Sequence, residues 1–189
     1  MARRVVLVNG LPGSGKTTLA TALARAASLP LISKDAIKDE LAAGSAGHAG
    51  SVAGGAAHAG LGASGAAHAG LGAAASELVW TRAAEHDGDV ILESWWFRPR
   101  DLAYAQAGLK RSLAISVTEI WCEVPAEVAR KRFVARRRPD YYRDAQSLAG
   151  NWAIWSAGAE PLGLGVVLRV RTDAPVDVAA LVKRVRASG

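Results

Sequence analysis

Apolar and polar positions along the chain fall into alternating short and long blocks. "RRVVLVNG" is an unbroken β-branched run ended by glycine, which suits a strand buried on both faces of a parallel sheet. "KTTLATALARAAS" then sets Leu19, Leu23 and Ala27 four apart, the period of one helix face. "LPLIS" predicts a second strand and "DAIKDELAA" a short helix, with Asp35 placed to cap it. "SELVWTRAAEH" predicts a helix carrying Leu78, Val79 and Trp80, and "GDVILES" the third strand. "RPRDLAYAQAGLKR" has Pro99 near the start of a helix, and "AISVTEIWCEV" is the fourth strand. "PAEVARKRFVARRR" and "DAQSLAGNWAIWSAG" predict two helices, "GVVLRVRT" the fifth strand and "PVDVAALVKRVRAS" a closing helix. Five strands alternating with helices predict an α/β fold of three layers, a five-stranded parallel sheet with helices on both faces.

Residues 44–75 interrupt this rhythm. "GAAHAGLGA" occurs at 55–63 and again at 65–73, and His48, His58 and His68 recur every ten residues. Three histidines invite a metal reading, but they are widely spaced in glycine-rich chain with no Cys or Asp beside them. A repeat-generated insertion is the better reading. Its alanines favour helix, while each glycine opposes it by about 1 kcal/mol, so the expectation is a mobile or weakly helical surface segment.

Composition narrows the classes. A length of 189 residues suits a single domain, 1–189, that includes this insertion. A net charge of +6 points to anionic partners and leaves nucleotides, nucleic acid and anionic metabolites open. The one cysteine, Cys122, lies in an apolar run and reads as a buried, inert thiol. "MARRVVLVNG" is too short in apolar residues for a signal peptide or a span, so a cytoplasmic setting without a membrane partner is expected.

The sharpest motif follows the first strand. Gly10-Leu11-Pro12-Gly13-Ser14-Gly15-Lys16-Thr17 is a phosphate-binding loop, with strand before it and helix after it as that motif requires. Its glycines let successive N–H groups converge on one anion, and the helix presents its positive end to the same anion. Lys16 is expected at the β- and γ-phosphates, Thr17 at Mg²⁺, and Thr18 beside them. The implied ligands are ATP and Mg²⁺.

Asp35 follows the second strand, on the sheet edge that carries the phosphate loop, because loops at the carboxyl ends of parallel strands share one crevice. A carboxylate there can take the proton of an acceptor hydroxyl beside the γ-phosphate; the alternative is that it only caps its helix. Lys38, one turn on, is placed either to hold an anionic part of the acceptor or at the solvated surface, and Lys34 reads as a surface residue. "VNGLPGSGKTTLA" followed by "LISKDAIKDEL" resembles the P-loop kinase group that includes chloramphenicol phosphotransferase, zeta-toxin-type kinases and the kinase domain of polynucleotide kinase. The resemblance implies a three-layer P-loop fold with strand order 2-3-1-4-5. It also implies that Asp35 is the general base, and Lys38 resembles the base found three residues on in the polynucleotide branch.

"ARKRFVARRRPDYYRD" gathers arginines before Pro139, like the lid of small P-loop kinases, over about residues 130–145. At helical spacing Arg132 and Arg136 share a face and are the expected phosphate contacts, with Arg138 third. A solvated basic helix and a nucleic-acid patch, with Tyr141 and Tyr142 stacking on bases, are the alternatives. Glu93 ends the third strand and either orders Mg²⁺ through water or hydrogen-bonds the acceptor. Trp95 is a candidate wall of the acceptor pocket, with ordinary core and interface packing as the alternative, and Arg98 and Arg100 flank the same mouth as candidate contacts to anionic substrate. Trp152 and Trp155 read as packing for the helix beside the lid. Thr172 and Asp173, after the fifth strand, are candidates for the adenine side by resemblance to related kinases. The expected activity is transfer of the γ-phosphate of ATP to a hydroxyl-bearing small molecule. A nucleotide or polynucleotide 5′-hydroxyl kinase, and a regulatory NTPase without acceptor, are the competing readings.

Overall fold

The computed structural model describes residues 3–49 and 63–188. Its elements run β1 (Arg4–Asn9), α1 (Lys16–Ala27), β2 (Leu31–Ser33), α2 (Lys34–Ala49), α3 (Ala63–Glu85), β3 (Val90–Glu93), α4 (Arg98–Arg111), β4 (Ser116–Glu123), α5 (Ala126–Val134), α6 (Asp144–Ala157), β5 (Val166–Arg171) and α7 (Val178–Ala187). All strand pairs are parallel and the sheet order is β2-β3-β1-β4-β5, as the resemblance implies.

Alternation along β1 divides the core. Val5 and Leu7 face a cluster with Ile37, Val79, Trp80 and Leu109 from α2, α3 and α4. Val6 and Val8 face the opposite cluster, with Leu19 and Leu23 of α1 and Leu181 and Val185 of α7. Burying each such side chain contributes about 1.5–3 kcal/mol, so both helical layers are held by the same central strand. Register then places the site. Val8 pairs with Glu93 and Ser33 pairs with Glu93, so the carboxyl ends of three strands finish at one level.

Both helices that flank the repeat extend into it: α2 reaches Ala49 and α3 begins at Ala63, further than the apolar pattern predicts. Alanine is the best helix former, and α2 packs against α3, which offsets the glycines. Residues 50–62, and His58 with them, lie outside the described residues; His48 falls in α2 and His68 in α3. α5 stops at Val134, four residues short of the expectation, so Arg136, Arg137 and Arg138 belong to a loop.

Two predictions follow from the packing. A Cβ built on Gly108 of α4 would sit 2.1 Å from the ring of Trp80, which is itself fully buried and has nowhere to move. Although alanine is the better helix former, Gly108→Ala is expected to lower stability by about 1–3 kcal/mol in denaturant unfolding. Cys122 is buried in β4, and burial pushes its thiol up to about 12, so the protonated form dominates at pH 8. Iodoacetamide should leave the native protein unmodified at pH 8 and label it only after denaturation, as mass spectrometry would read.

Candidate active site

The chain turns from β1 into α1 through three glycines with positive φ, Gly10 at 146°, Gly13 at 89° and Gly15 at 89°. Gly13 has a second constraint, since a Cβ there would lie 2.1 Å from the carbonyl oxygen of Ala129 in α5. The loop is fastened at its start by Asn9. Its Oδ1 accepts from the N–H of Gly10 (2.8 Å) and of Trp96 (3.0 Å), and its amide donates to Glu119 (3.0 Å). Glu119 is buried in β4 and also accepts from the N–H groups of Leu162 and Gly163. Neither Asn9 nor Glu119 was marked by the sequence as more than a strand residue.

Inside this turn the Ser14 N–H donates to Leu11 O at 2.9 Å, but not every polar group finds a partner. Gly15 caps α1 with no side-chain hydrogen bond, and the Ser14 hydroxyl is buried without one. Lys16 is 6% exposed and reaches only its own loop, at Leu11 O, 3.2 Å away. Burial lowers its pKa, while the Glu93 carboxylate pushes the other way. A cradle of unpartnered donors around a buried ammonium is suited to an oxyanion.

Glu93, 2% exposed, accepts from the Thr17 hydroxyl at 3.3 Å and from the Ser33 hydroxyl at 2.6 Å. Ser33 was not singled out in the sequence; its signal is that β2 ends level with β3. Thr17 and Glu93 fit a magnesium ion as a direct oxygen ligand and a carboxylate acting through water. Among the described residues no cluster of three or more His, Cys, Asp or Glu offers a denser metal site.

A cleft of about 200 Å³ opens beside this pair. Lys16, Glu93, Asp35, Lys38, Trp95, Arg136 and Arg138 all line it. Asp35 is the second residue of α2 and does not cap it: the helix starts at Lys34, and the carboxylate bonds Arg138 Nη1 at 2.7 Å. Arg138 is held on its other side by Asp144, at 2.8 and 2.9 Å. Burial alone would lower the Arg138 pKa, but the Asp144 hydrogen bond and the Asp35 charge outweigh it and raise it. Arg136 also enters the cleft; burial and the neighbouring Arg138 charge lower its pKa. Tyr142 closes the rim. Its hydroxyl lies 2.6 Å from Asp39 Oδ1 and 3.0 Å from the Asp35 carbonyl, and its ring meets Arg138 at 3.8 Å and Lys38 at 4.5 Å. Trp95 packs edge-on to Trp155, and Trp152 stacks on Phe133 at 6.1 Å, so both α6 tryptophans seat that helix as expected.

Four expectations need correction. Arg132 and Arg136 do not share a face, because α5 ends between them. Arg132 turns instead to Thr172 O (3.1 Å), beside a separate cavity of about 450 Å³ lined by Gly15, Thr18, Thr172 and Pro175. Asp173 does not line that cavity, since its carboxylate is held by Arg171 at 2.7 Å. Arg98 pairs with Glu160 at 3.1 Å and does not line the cleft, whereas Arg100 does. Lys34, read as a surface residue, lines the cleft wall.

A family profile described as an AAA domain (AAA_33) matches residues 5–155. No curated protein sequence matches the chain. Among solved structures it is similar to a candidate kinase from Chloroflexus aurantiacus, at 24% identity over 100% of both chains with a TM-score of 0.72. It is also similar to a gluconokinase from Sinorhizobium meliloti, at 17% identity over 99% of this chain and 90% of that one, TM-score 0.53. A shikimate kinase from Bacteroides thetaiotaomicron gives 18% identity over 97% and 96%, TM-score 0.53. With the family profile spanning most of its length, the chain belongs to the AAA_33 family of AAA domains, and its fold is the P-loop fold of those neighbours.

Proposed function

We propose that the protein is an ATP- and Mg²⁺-dependent phosphotransferase that moves the γ-phosphate to a hydroxyl of a small molecule. One observation carries this reading: the Asp35 carboxylate lines the same cleft as Lys16, Glu93, Arg136 and Arg138. A nucleotide-binding switch has no need of a carboxylate there. The kinase character of the fold neighbours supports the same class.

The loop amides and Lys16 hold the β- and γ-phosphates, and Arg132, Thr18 and Thr172 line the cavity that suits the nucleoside end. Thr17 directly and Glu93 through water would hold Mg²⁺, which would supply charge neutralisation at the phosphate oxygens. The acceptor hydroxyl enters between Trp95 and Asp35. Its oxygen forms a bond to the γ-phosphorus as the bond to the β-phosphate oxygen breaks, and ADP leaves. Asp35 accepts the hydroxyl proton, and Arg136 and Arg138 stabilise the charge on the equatorial oxygens. Size favours a small acceptor over a polynucleotide, because the cleft encloses only about 200 Å³. The tyrosines expected to stack on bases are also engaged elsewhere, both hydroxyls meeting Asp39 at 2.6 Å.

Labelled ATP and a panel of alcohols test the proposal. Asp35→Asn should lower kcat by about 10²–10⁴-fold while ATP binding by calorimetry persists. Asp144→Asn also loosens Arg138 but keeps the base, so its loss of transfer should be clearly smaller than that of Asp35→Asn; equal losses in the two variants would remove the base role. Glu93→Gln should raise the Mg²⁺ concentration needed for half-maximal rate by about 10–100-fold, and an unchanged requirement would exclude Glu93 from the metal.

A further inference from the structure

The cleft holds a charge that the transfer chemistry above does not use. Lys34 opens α2, and its side chain lines both the 200 Å³ cleft and a chamber of about 20 Å³ behind it. That chamber is large enough for about one water. Burial lowers the Lys34 pKa, and the Arg100 charge lowers it further. Among the described residues no carboxylate pairs with it. Asp101, the nearest counter-charge in effect, is taken by Arg100 at 2.7 Å and by the Phe97 N–H at 2.8 Å. Asp35 is taken by Arg138. An ammonium has three donors and no acceptor, so all of these hydrogen bonds must come from something else.

A second orphan lies beside it. Trp95 lines the same two spaces, and its Nε1–H is buried with no hydrogen-bond partner. Buried donors are ordinarily satisfied, and an unpaired buried charge is among the costlier features a fold can carry. Charge matching across the cleft isolates the pair. Arg138 is matched by Asp35 and Asp144, and Arg100 by Asp101. In the proposed reaction Lys16 and Arg136 meet the triphosphate. Lys34 remains inside, and Lys38 at the rim lies over the rings of Tyr141 and Tyr142.

We infer that the acceptor alcohol is itself an anion, a hydroxy acid or a phosphate ester, whose charged group docks at Lys34 beside the Trp95 indole N–H. This rests on the phosphotransferase reading and names the substrate class for it. A neutral acceptor leaves the half-buried Lys34 charge unmatched. An anionic one satisfies Lys34 and Trp95 together and is anchored at one end, with its hydroxyl left for Asp35, the next residue of α2, which lines the same cleft.

The test uses matched sets differing only in the charged group: glycerol, glycerate and glycerol 3-phosphate; sorbitol, gluconate and glucose 6-phosphate. Transfer from labelled ATP is measured with the full chain, and binding is measured with Mg²⁺ and a non-hydrolysable ATP analogue filling the phosphate loop. An anionic member is expected to exceed its neutral partner in kcat/KM by about tenfold or more, and the carboxylate and phosphate arms decide which anion is held. Lys34→Met and Trp95→Phe should each erase that preference, acting through acceptor KM and leaving ATP KM in place. Lys34→Met should also match or exceed the parent in thermal midpoint, because it removes an unpaired, half-buried charge, so a fold defect is distinguishable. Neutral members transferring as well as anionic ones, or a preference surviving in both variants, overturns the inference while the kinase reading stands. Anions that bind through Lys34 without any transfer overturn the kinase reading and leave the anion site. No anion binding and no transfer to an anion overturns the inference.

Discussion

Glu93 is the junction on which the site depends. Its two carboxylate oxygens accept from hydroxyls of two other segments, Thr17 on the helix after the phosphate loop and Ser33 at the end of β2. Because β3 lies between β2 and β1, this buried acid joins three neighbouring carboxyl ends at one level. Ser33 is followed at once by Lys34 and Asp35, so fixing Ser33 fixes where α2 starts and which way its first two charged residues face. In the proposed reaction, the acid that meets the nucleotide side of the site therefore also sets the acceptor side.

Much of this was legible in the chain. Apolar runs ended by glycine or polar residues marked the strands most plainly in the central β1 and β3, which are buried on both faces and so need apolar residues at nearly every position. The phosphate loop was legible for a different reason: only glycine tolerates its positive φ values, so the conformation is written into the residue types. The placement of Asp35 followed from topology, because the carboxyl ends of parallel strands share an edge. The identity of its partner did not. Arg138 lies 103 positions away, and nothing local marks it as different from Arg137.

The misreadings share one physical origin, which is that charge pairing depends on where helices stop. Helical spacing put Arg132 and Arg136 together, but α5 ends at Val134 and the two arginines diverge to different cavities. Arg98 and Asp173 stand near the right loops, yet Glu160 and Arg171 capture them. Lys34 read as exposed because lysine usually is. Its partial burial comes from the Trp95 wall and from α3 and α4 closing behind it, contacts that no sequence window contains. The lid loop is tied down in the same non-local way. Asp39 takes both tyrosine hydroxyls, and the Tyr142 ring lies against Lys38 and Arg138.

The central claim is spatial: one crevice holds the far end of a triphosphate and a carboxylate ready to receive an alcohol proton. A crystal structure with Mg²⁺, a non-hydrolysable ATP analogue and an acceptor bound tests it most directly. The account predicts the acceptor oxygen about 3–3.5 Å from the γ-phosphorus, in line with the bridging oxygen, and within hydrogen-bond reach of Asp35. An acceptor hydroxyl contacting other groups, with Asp35 turned away from the terminal phosphate, would contradict it.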